Sequence, residues 1–380
     1  MKINFKIVWL DDQPNTMKKY IERIKSILTA NFFIPDIQEP YVSYEDFHSS
    51  FENSTTNNVY GEVFNDCDLL LIDYNIAEKQ ENEQKTGATL ISQLRVKGIY
   101  TETVFYSNAM EDYRKKTDRE ELDNVIYADK NELIDKVEHI IKKTVVQSMI
   151  ISNLRGYLMD CTSDFDFICR TVSEYYFKKL SNEQQLELLK IAEEYIHNQY
   201  KSENKKFREI NKKYKNLLNL ENITSEETFI EIPEGNERVK LLQKILNSQE
   251  SVIVVRDKYR LMAIILQRSG NNNYSNIFSF DKETLKTDNV ENDMYYNEII
   301  NHRNRLAHNK LIYGDKCKNR IKIIKIIEDM ICACSNNQCE KSYSYDDCKK
   351  LRENIYKYYL LFNNILDPIM KIELERLNHA

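Results

Sequence analysis

The sequence is poor in the residues that end regular secondary structure. Its 380 residues include only 7 glycines and 5 prolines. No proline occurs between Pro40 and Pro233, or between Pro233 and Pro368. Because glycine and proline mark turns and helix ends, their scarcity argues against a β architecture with many short turns. It favours long helices over most of the chain.

Long hydrophobic runs are also missing. A helix that crosses a membrane needs about 20 mainly apolar residues, and no uncharged apolar run of that length occurs. The first residues, MKINFKIVWLDD, become acidic too early for a secretory signal peptide. We therefore expect a cytoplasmic protein that is not inserted in a membrane and whose cysteines stay reduced.

The overall charge is mildly negative. The chain has 54 Lys and Arg against 60 Asp and Glu, a formal net charge of −6, with 42% hydrophobic residues. This composition is typical of a globular protein, and the length allows two or three domains with full cores. A negative net charge argues against a protein that coats nucleic acid without specificity, although it is compatible with a local basic face.

The first third of the chain contains four short apolar runs, each of which ends at a polar residue. Helical patterns separate several of them, as at Asn15–Ala30 and Gly87–Lys97, and a weaker strand candidate lies near Asp36–Val42. Alternating strands and helices predict an α/β domain with a doubly wound, five-stranded parallel sheet. Functional groups collect at the carboxyl ends of such strands. The polar residues expected there are Asp11 and Asp12 after KIVWL, Asp73 after CDLLLI, Ser107 after TVFY, and Lys130 after NVIYAD.

This set resembles the receiver domain of two-component response regulators over residues 1–145. The resemblance implies that Asp73 accepts a phosphoryl group from a sensor histidine kinase, that Ser107 and Lys130 contact this group, and that Tyr127 is the switch aromatic. It also implies a Mg²⁺ site made of the carboxylates of Asp11, Asp12 and Asp73 and the main-chain carbonyl of Asn75. Carboxylate and carbonyl oxygens suit such a hard cation, which neutralises phosphoryl charge. The alternative is a receiver fold that no longer accepts phosphate.

The rest of the chain has helical patterns. We predict a helical connector over residues 146–234 and an all-α effector domain over residues 235–380, with the boundary at Glu231–Gly235. No glycine or proline interrupts Asn131–Arg155, which predicts one continuous helix leading out of the first domain.

Further helices are predicted late in the chain. Lys318–Ala333 and Tyr345–Leu377 both have the apolar spacing of helices, and Pro368 predicts a kink or break in the second of them.

One polar group stands out in the segment Glu298–Tyr313, EIINHRNRLAHNKLIY. Asp293 or Asn297 can cap a helix there, with isoleucine and leucine on its buried side. On this helix Asn304 and His308 are i and i+4 and share a face. Arg303 lies about 140° around the helix from His308 and needs its long side chain to reach the same place.

The motif Arg303-Asn304-x-x-x-His308 resembles the signature of the HEPN superfamily, and the surrounding pattern predicts a HEPN helical bundle. The resemblance implies a metal-independent endoribonuclease that leaves 2′,3′-cyclic phosphate and 5′-hydroxyl ends. His308 would transfer protons, Arg303 would bind phosphate oxygens, and Asn304 would orient His308 or the sugar. Acid and base are both needed, so a homodimer that supplies the motif twice is expected.

By analogy with such proteins, RNA cleavage would serve bacterial stress response or anti-phage defence, under the control of the receiver-like domain. The alternative is a non-catalytic signalling protein whose helical bundle binds a partner or a nucleotide. Replacing His308 distinguishes the two, because only cleavage depends on proton transfer by that residue.

Four cysteines cluster near the end of the chain: Cys332, Cys334, Cys339 and Cys348. They are candidates for a zinc site, but their spacing lacks paired C-x-x-C motifs. Cys332 and Cys334 also continue the apolar end of the predicted helix Lys318–Ala333. We therefore expect them to pack as small hydrophobic residues.

Overall fold

The computed structural model describes residues 3–52, 64, 66–74, 76, 86–108, 122, 124–201, 236–247, 255–271, 293–308, 310–313, 331–335 and 338–378. The chain divides into two compact units, Met1–Asn153 and Leu154–Ala380.

A five-stranded parallel sheet forms the centre of the first unit, as the sequence predicts. The spatial order of its strands is β2-β1-β3-β4-β5, and every neighbouring pair is parallel. The strands are β1 (Asn4–Leu10), β2 (Ile34–Ile37), β3 (Leu69–Asp73), β4 (Thr103–Ser107) and β5 (Val125–Asp129). The helices between and after them are α1 (Pro14–Ala30), α2 (Tyr44–Glu52), α3 (Gly87–Val96) and α4 (Leu133–Ser148).

Helices cover both faces of this sheet. On one face, Val8, Leu70 and Phe105 form a buried cluster with residues of α2 and α3 such as Phe47 and Leu90. On the other face, α1 packs against α4. The strands are apolar on both sides because both of their faces are buried, which is the pattern expected of a parallel sheet.

The predicted continuous helix Asn131–Arg155 is wrong, because the chain leaves the helical conformation at Met149–Ile150. Side chains compete there for main-chain carbonyls. The Ser148 hydroxyl donates to the carbonyl of Val145 at 2.5 Å, and the Asn153 amide donates to the carbonyl of Gln147 at 2.9 Å. Such local bonds give the backbone an alternative to the helical ladder.

The second unit is mostly helical, as predicted. Its first four described helices are α5 (Ile151–Phe177), α6 (Asn182–Lys201), α7 (Asn236–Asn247) and α8 (Val255–Arg268). One hydrophobic cluster includes Phe177 of α5, Leu188 of α6, Leu242 of α7 and Leu261 of α8. Segments that the sequence assigned to a connector and to an effector therefore share a core.

The prediction of an all-α second part is wrong in one place. A π-helical turn, Tyr296–Ile300, and helix α9, Asn301–His308, are followed by an antiparallel sheet in the order β6-β7-β8. Its strands are β6 (Lys310–Tyr313), β7 (Ile331–Ser335) and β8 (Gln338–Tyr343). The described end of the predicted helix Lys318–Ala333 is thus a strand, whose main chain bonds to neighbours on both sides. These long-range bonds outweigh a helical apolar spacing.

The last helix, α10 (Tyr345–Asn378), confirms the helix predicted at Tyr345–Leu377. Pro368 lies inside it and does not break it. Ile365 and Ile369 on either side of the proline are both buried, so packing holds the two parts of the helix in place. None of the helices in the described part of the chain is both long and apolar enough to span a membrane.

Candidate functional site

The carboxyl edge of the parallel sheet brings three carboxylates together. Asp11 follows β1, Asp73 ends the neighbouring strand β3, and Asp12 completes the group. One carboxylate oxygen from each lies within 4.8 Å of the other two. Oxygen donors at this spacing fit a hard divalent cation such as Mg²⁺. The predicted fourth ligand, the carbonyl of Asn75, lies outside the described residues.

Asp11 is fully buried and held from several directions. Its Oδ1 accepts the main-chain N–H of Gln13 at 2.7 Å. Its Oδ2 accepts the hydroxyl of Tyr106 at 2.7 Å and the ammonium of Lys130 at 3.3 Å. A buried carboxylate is stable as an anion only when it is paired and hydrogen-bonded in this way.

Lys130 bridges two of the carboxylates. It follows β5, and its Nζ lies 3.3 Å from Oδ2 of Asp11 and 3.6 Å from Oδ2 of Asp73. Its side chain is only 11% exposed, so solvent screens these pairs weakly. The ammonium therefore neutralises part of the negative charge that collects at this edge.

The two remaining predicted residues of this domain take different positions. Ser107 is buried at the end of β4, and its carbonyl accepts the main-chain N–H of Lys130 at 3.2 Å. Tyr127 is half-buried in β5, and its ring packs edge-on against Phe105 with centroids 5.9 Å apart. The structure thus brings Asp11, Asp12, Asp73 and Lys130 together at the sheet edge. Ser107 adjoins Lys130 through the backbone, while Tyr127 belongs to the hydrophobic side of the strand.

Electrostatics at Asp12 reflect this crowding of carboxylates. Partial burial raises the pKa of Asp12 above its ordinary value, and the negative charge of Asp11 raises it further, while Lys130 lowers it. A bound cation would oppose both of the first two effects.

Tyr106 and Trp9 belong to the site, although the sequence analysis did not select them. Both are fully buried, and the indole N–H of Trp9 donates to the Tyr106 hydroxyl at 2.6 Å. Burial raises the pKa of Tyr106 well above its ordinary value, and the charges of Asp11 and Asp73 raise it further. The sequence offers no separate signal for either residue, since both read as ordinary apolar strand positions. Tyr106 directly precedes Ser107 and lies opposite Asp73 in the β3–β4 register.

Gly87, at the start of α3, lies against the end of β3. A β-carbon added there would lie 2.4 Å from the main-chain oxygen of Asp73 and 2.9 Å from a methyl group of Ile72. The first turn of α3 therefore packs directly on the end of β3. Thr86 fixes this helix start, because its hydroxyl accepts the N–H of Thr89.

A buried carboxylate also fixes the start of the helix that carries the second predicted motif. Asp293 caps it, as predicted, by accepting the N–H of Tyr296 at 3.0 Å. The same carboxylate pairs with the guanidinium of Arg260 at 2.8 Å and accepts the hydroxyl of Tyr259. Because Asp293 and Arg260 are both fully enclosed, this pair anchors the helix start to α8.

Arg303 and Asn304 lie next to each other in α9 and are half-buried. Nη1 of Arg303 donates to the side-chain oxygen of Asn304 at 3.2 Å. Nε of Arg303 is buried and has no hydrogen-bond partner among the described residues. The main chain of His308 ends α9, but its side chain lies outside the described part. The predicted contact between Asn304 and His308 thus stays a prediction.

Two further contacts hold α9 in place. Nδ1 of His302 lies 3.0 Å from the hydroxyl of Tyr343 at the end of β8. Arg155 of α5 donates to the carbonyl of Ala307 at 3.2 Å. Burial raises the pKa of Tyr343 to about 12, although the positive charge of Arg305 opposes this shift.

The cysteine group is partly described. Cys332 and Cys334 lie in β7, and Cys334 is the register partner of Cys339 in β8. Cys348 is buried in α10, as expected of a cysteine that packs as a hydrophobic residue. The packing of the other three stays a prediction.

Neither a comparison with models of protein families nor a search of curated proteins gave a match to this chain. The receiver-like and HEPN-like assignments therefore rest on the residues described above.

Proposed function

We propose that the first unit is a Mg²⁺-dependent phosphoacceptor domain that controls an RNA-cleaving second unit. The observation that carries the proposal is the position of the Lys130 ammonium, 3.3 Å from Asp11 and 3.6 Å from Asp73 at the carboxyl edge of the sheet. A lysine that bridges two carboxylates at the carboxyl edge of a parallel sheet can pair with the oxygens of a phosphoryl group on one of them.

In the proposed input reaction, an oxygen of Asp73 attacks the phosphorus of a phosphohistidine on a sensor kinase. A P–O bond forms, the P–N bond breaks, and the departing imidazole takes up a proton. Bound Mg²⁺, held by Asp11, Asp12 and Asp73, would supply neutralisation of phosphoryl charge. Lys130 then pairs with the phosphoryl oxygens, and the Ser107 hydroxyl donates to them.

Phosphorylation would act on the second unit by changing local charge. The acyl phosphate adds negative charge beside Lys130 and draws its ammonium away from Asp11. This movement of Lys130 shifts the equilibrium between two conformations of the segment that follows it, beginning with α4.

The proposed output reaction is transesterification within RNA. The ribose 2′-oxygen attacks the adjacent phosphorus, the bond to the 5′-oxygen breaks, and a 2′,3′-cyclic phosphate and a 5′-hydroxyl result. His308 moves the protons, and Arg303 pairs with the phosphate oxygens. Asn304 supports this role of Arg303 because it accepts a guanidinium N–H. A homodimer would provide the motif twice, as general base and as general acid.

A phosphodonor assay tests the input. The full chain is incubated with Mg²⁺ and a small-molecule phosphodonor or a phosphorylated kinase, and intact-mass measurement detects the adduct. We expect an acid-stable, base-labile adduct on Asp73 that is lost in Asp73→Asn and retained in Asp36→Asn. Failure of every donor to modify Asp73 would refute the proposed input.

An RNA cleavage assay tests the output. Total RNA is incubated with the protein in EDTA, with and without prior treatment by phosphodonor and Mg²⁺. We expect fragments with cyclic phosphate ends, whose yield changes after phosphodonor treatment. The fragments should disappear with His308→Ala but not with the control His139→Ala, which alters a histidine of α4. Cleavage that survives His308→Ala would contradict the proposed chemistry.

One observation favours the second candidate, a non-catalytic module that binds a partner or nucleotide. An antiparallel sheet follows α9, and in its described part β6 and β8 each have one side not paired with another strand. Such strand edges are common sites of β-strand addition by a partner. On this reading, His308→Ala leaves partner binding intact, and no RNA fragments appear with the unmodified chain.

A further inference from the structure

A chain of hydrogen bonds runs beneath the acidic cluster. It starts at the indole N–H of Trp9 in β1, continues at 2.6 Å to the hydroxyl of Tyr106 in β4, and ends at 2.7 Å on Oδ2 of Asp11. All three side chains are fully buried. Water therefore does not compete for these bonds.

The direction of this chain is fixed by its two ends. An indole N–H can only donate, and a carboxylate can only accept. The Tyr106 hydroxyl between them must therefore accept from Trp9 and donate to Asp11. The bond from Trp9 restrains the hydroxyl, whose nearer acceptor is Oδ2 of Asp11 at 2.7 Å, while Sδ of Met17 lies 4.0 Å away.

The remaining contacts of Asp11 limit how it can bind a cation. A carboxylate offers about four lone-pair positions. Tyr106 and Lys130 occupy two on Oδ2, and the N–H of Gln13 occupies one on Oδ1. The open position is on Oδ1. The carboxylate also cannot rotate to exchange its oxygens without breaking these bonds.

We propose that Tyr106, held by Trp9, is a positioning residue that fixes Asp11 so that Oδ1 faces a divalent cation. This inference rests on the proposed Mg²⁺-dependent function and deepens it. Outer partners of metal ligands orient them in this manner, and their removal typically weakens metal binding by about 10- to 100-fold.

The plain alternative is that Tyr106 is a core residue whose hydroxyl happens to find a partner. Tyr106→Phe separates the two, because it keeps the ring and removes only the oxygen. A packing role predicts a change in stability alone. A positioning role predicts a weaker affinity for the cation. It also predicts that the fluorescence of Trp9 no longer responds to the cation.

Mg²⁺ titration of the full chain provides the test, with calorimetry for affinity and fluorescence for Trp9. The sequence contains a single tryptophan, so all indole emission comes from this residue. We expect the dissociation constant of Mg²⁺ to rise about tenfold in Tyr106→Phe. The Mg²⁺-dependent change in emission should disappear in that variant even where calorimetry still detects binding.

Tyr44→Phe is the matched control. Tyr44 is another buried tyrosine of the same unit, and its hydroxyl lies 3.4 Å from the side-chain oxygen of Gln93 in α3. Its replacement should leave both Mg²⁺ readouts unchanged. If Tyr106→Phe does not fold, Trp9→Phe followed by calorimetry replaces it, and a weaker affinity is again expected because the Tyr106 hydroxyl can then turn.

The outcomes separate this inference from the function on which it rests. If the unmodified chain shows no Mg²⁺ binding, the proposed function fails and the inference fails with it. If the unmodified chain binds Mg²⁺ but Tyr106→Phe binds it equally or more tightly, the inference alone is overturned. Tyr106 is then a core residue.

Discussion

Gly87, the first residue of α3, lies against the main chain of Asp73, so that a β-carbon on Gly87 would stand 2.4 Å from the Asp73 carbonyl oxygen. Side-chain atoms of Phe105 and Ile72 would lie 2.8 and 2.9 Å from the same β-carbon, so little room is left for adjustment. The start of α3 therefore approaches the acidic end of β3 so closely that only glycine can occupy position 87.

Gly87→Ala should consequently destabilise the first unit and disturb the position of Asp73. Overpacking of this kind costs about 1–3 kcal/mol of unfolding free energy, measured by chemical denaturation. Gly156→Ala is a matched control, because nothing lies within 4 Å of a β-carbon on Gly156 in helix α5. That replacement should be neutral or stabilise the protein by about 0.5–1 kcal/mol. Equal effects of the two variants would contradict the close fit.

Lys130→Met should remove the cation that Asp11 and Asp73 share. Breaking a buried pair leaves an uncompensated charge, so we expect a loss of about 3 kcal/mol in unfolding free energy without Mg²⁺. Added Mg²⁺ should restore part of this loss, since it supplies positive charge to the same carboxylates. Lys25→Met, which breaks an exposed pair with Glu22, should change stability by less than about 1 kcal/mol. A variant as stable as its parent would show that Lys130 is not required to balance the cluster.

Asp12→Asn should raise stability at neutral pH in the absence of Mg²⁺. The folded-state pKa of Asp12 is raised by partial burial and by Asp11, so it exceeds the unfolded value of about 3.9. Asp12 thus favours folding below about pH 4, and that contribution is lost as the pH rises through the folded pKa. Thermal unfolding should show the gain at pH 7 and none near pH 3.

Mg²⁺ should reverse this order of stability, because the unmodified chain gains a ligand oxygen that the asparagine variant lacks. Glu22→Gln controls for the loss of one exposed negative charge. If Mg²⁺ stabilises Asp12→Asn as strongly as the parent, Asp12 is not a ligand.

Asp293→Asn should destabilise the second unit by about 3 kcal/mol, since it removes the carboxylate that neutralises buried Arg260. The helix cap itself survives, because asparagine also accepts the N–H of Tyr296. Glu298→Gln, which affects a more exposed pair with Lys357, is the control and should cost less than about 1 kcal/mol. Similar losses in the two variants would show that the Asp293–Arg260 pair has no special role.

The parallel sheet and its acidic edge could be predicted from the sequence, because short apolar runs alternate with helical patterns there and each run ends at a polar residue. Short apolar runs ended in Asp11, Asp73, Ser107 and Lys130, and parallel strands must bring such ends to one side. The structure places one carboxylate oxygen each of Asp11, Asp12 and Asp73 within 4.8 Å of the others. The Lys130 ammonium lies between Asp11 and Asp73. The assignment of Mg²⁺ and phosphate to this site stays a prediction.

Other features depend on contacts that a single segment does not reveal. Tyr106 has the pattern of an ordinary strand residue, and its role appears only when Trp9 and Asp11 are placed beside it. Ser148 and Asn153 make side-chain bonds to main-chain carbonyls where α4 ends, and helical spacing does not encode these bonds. Ile331–Ser335 has a short apolar pattern that suits helix and strand equally, and pairing with β6 and β8 decides the outcome.

Pro368 removes one hydrogen bond from α10. Proline carries no N–H, so the carbonyl of Asn364, four residues earlier, loses its helical partner although the helix continues. Amide protons exchange with solvent through local opening, and a missing rung lowers the free energy of that opening. The helix should therefore divide into two hydrogen-exchange classes, with slow amides around buried Ile355 and Tyr358 and faster ones after Pro368. A helix that is continuous in geometry is thus expected to open in two steps.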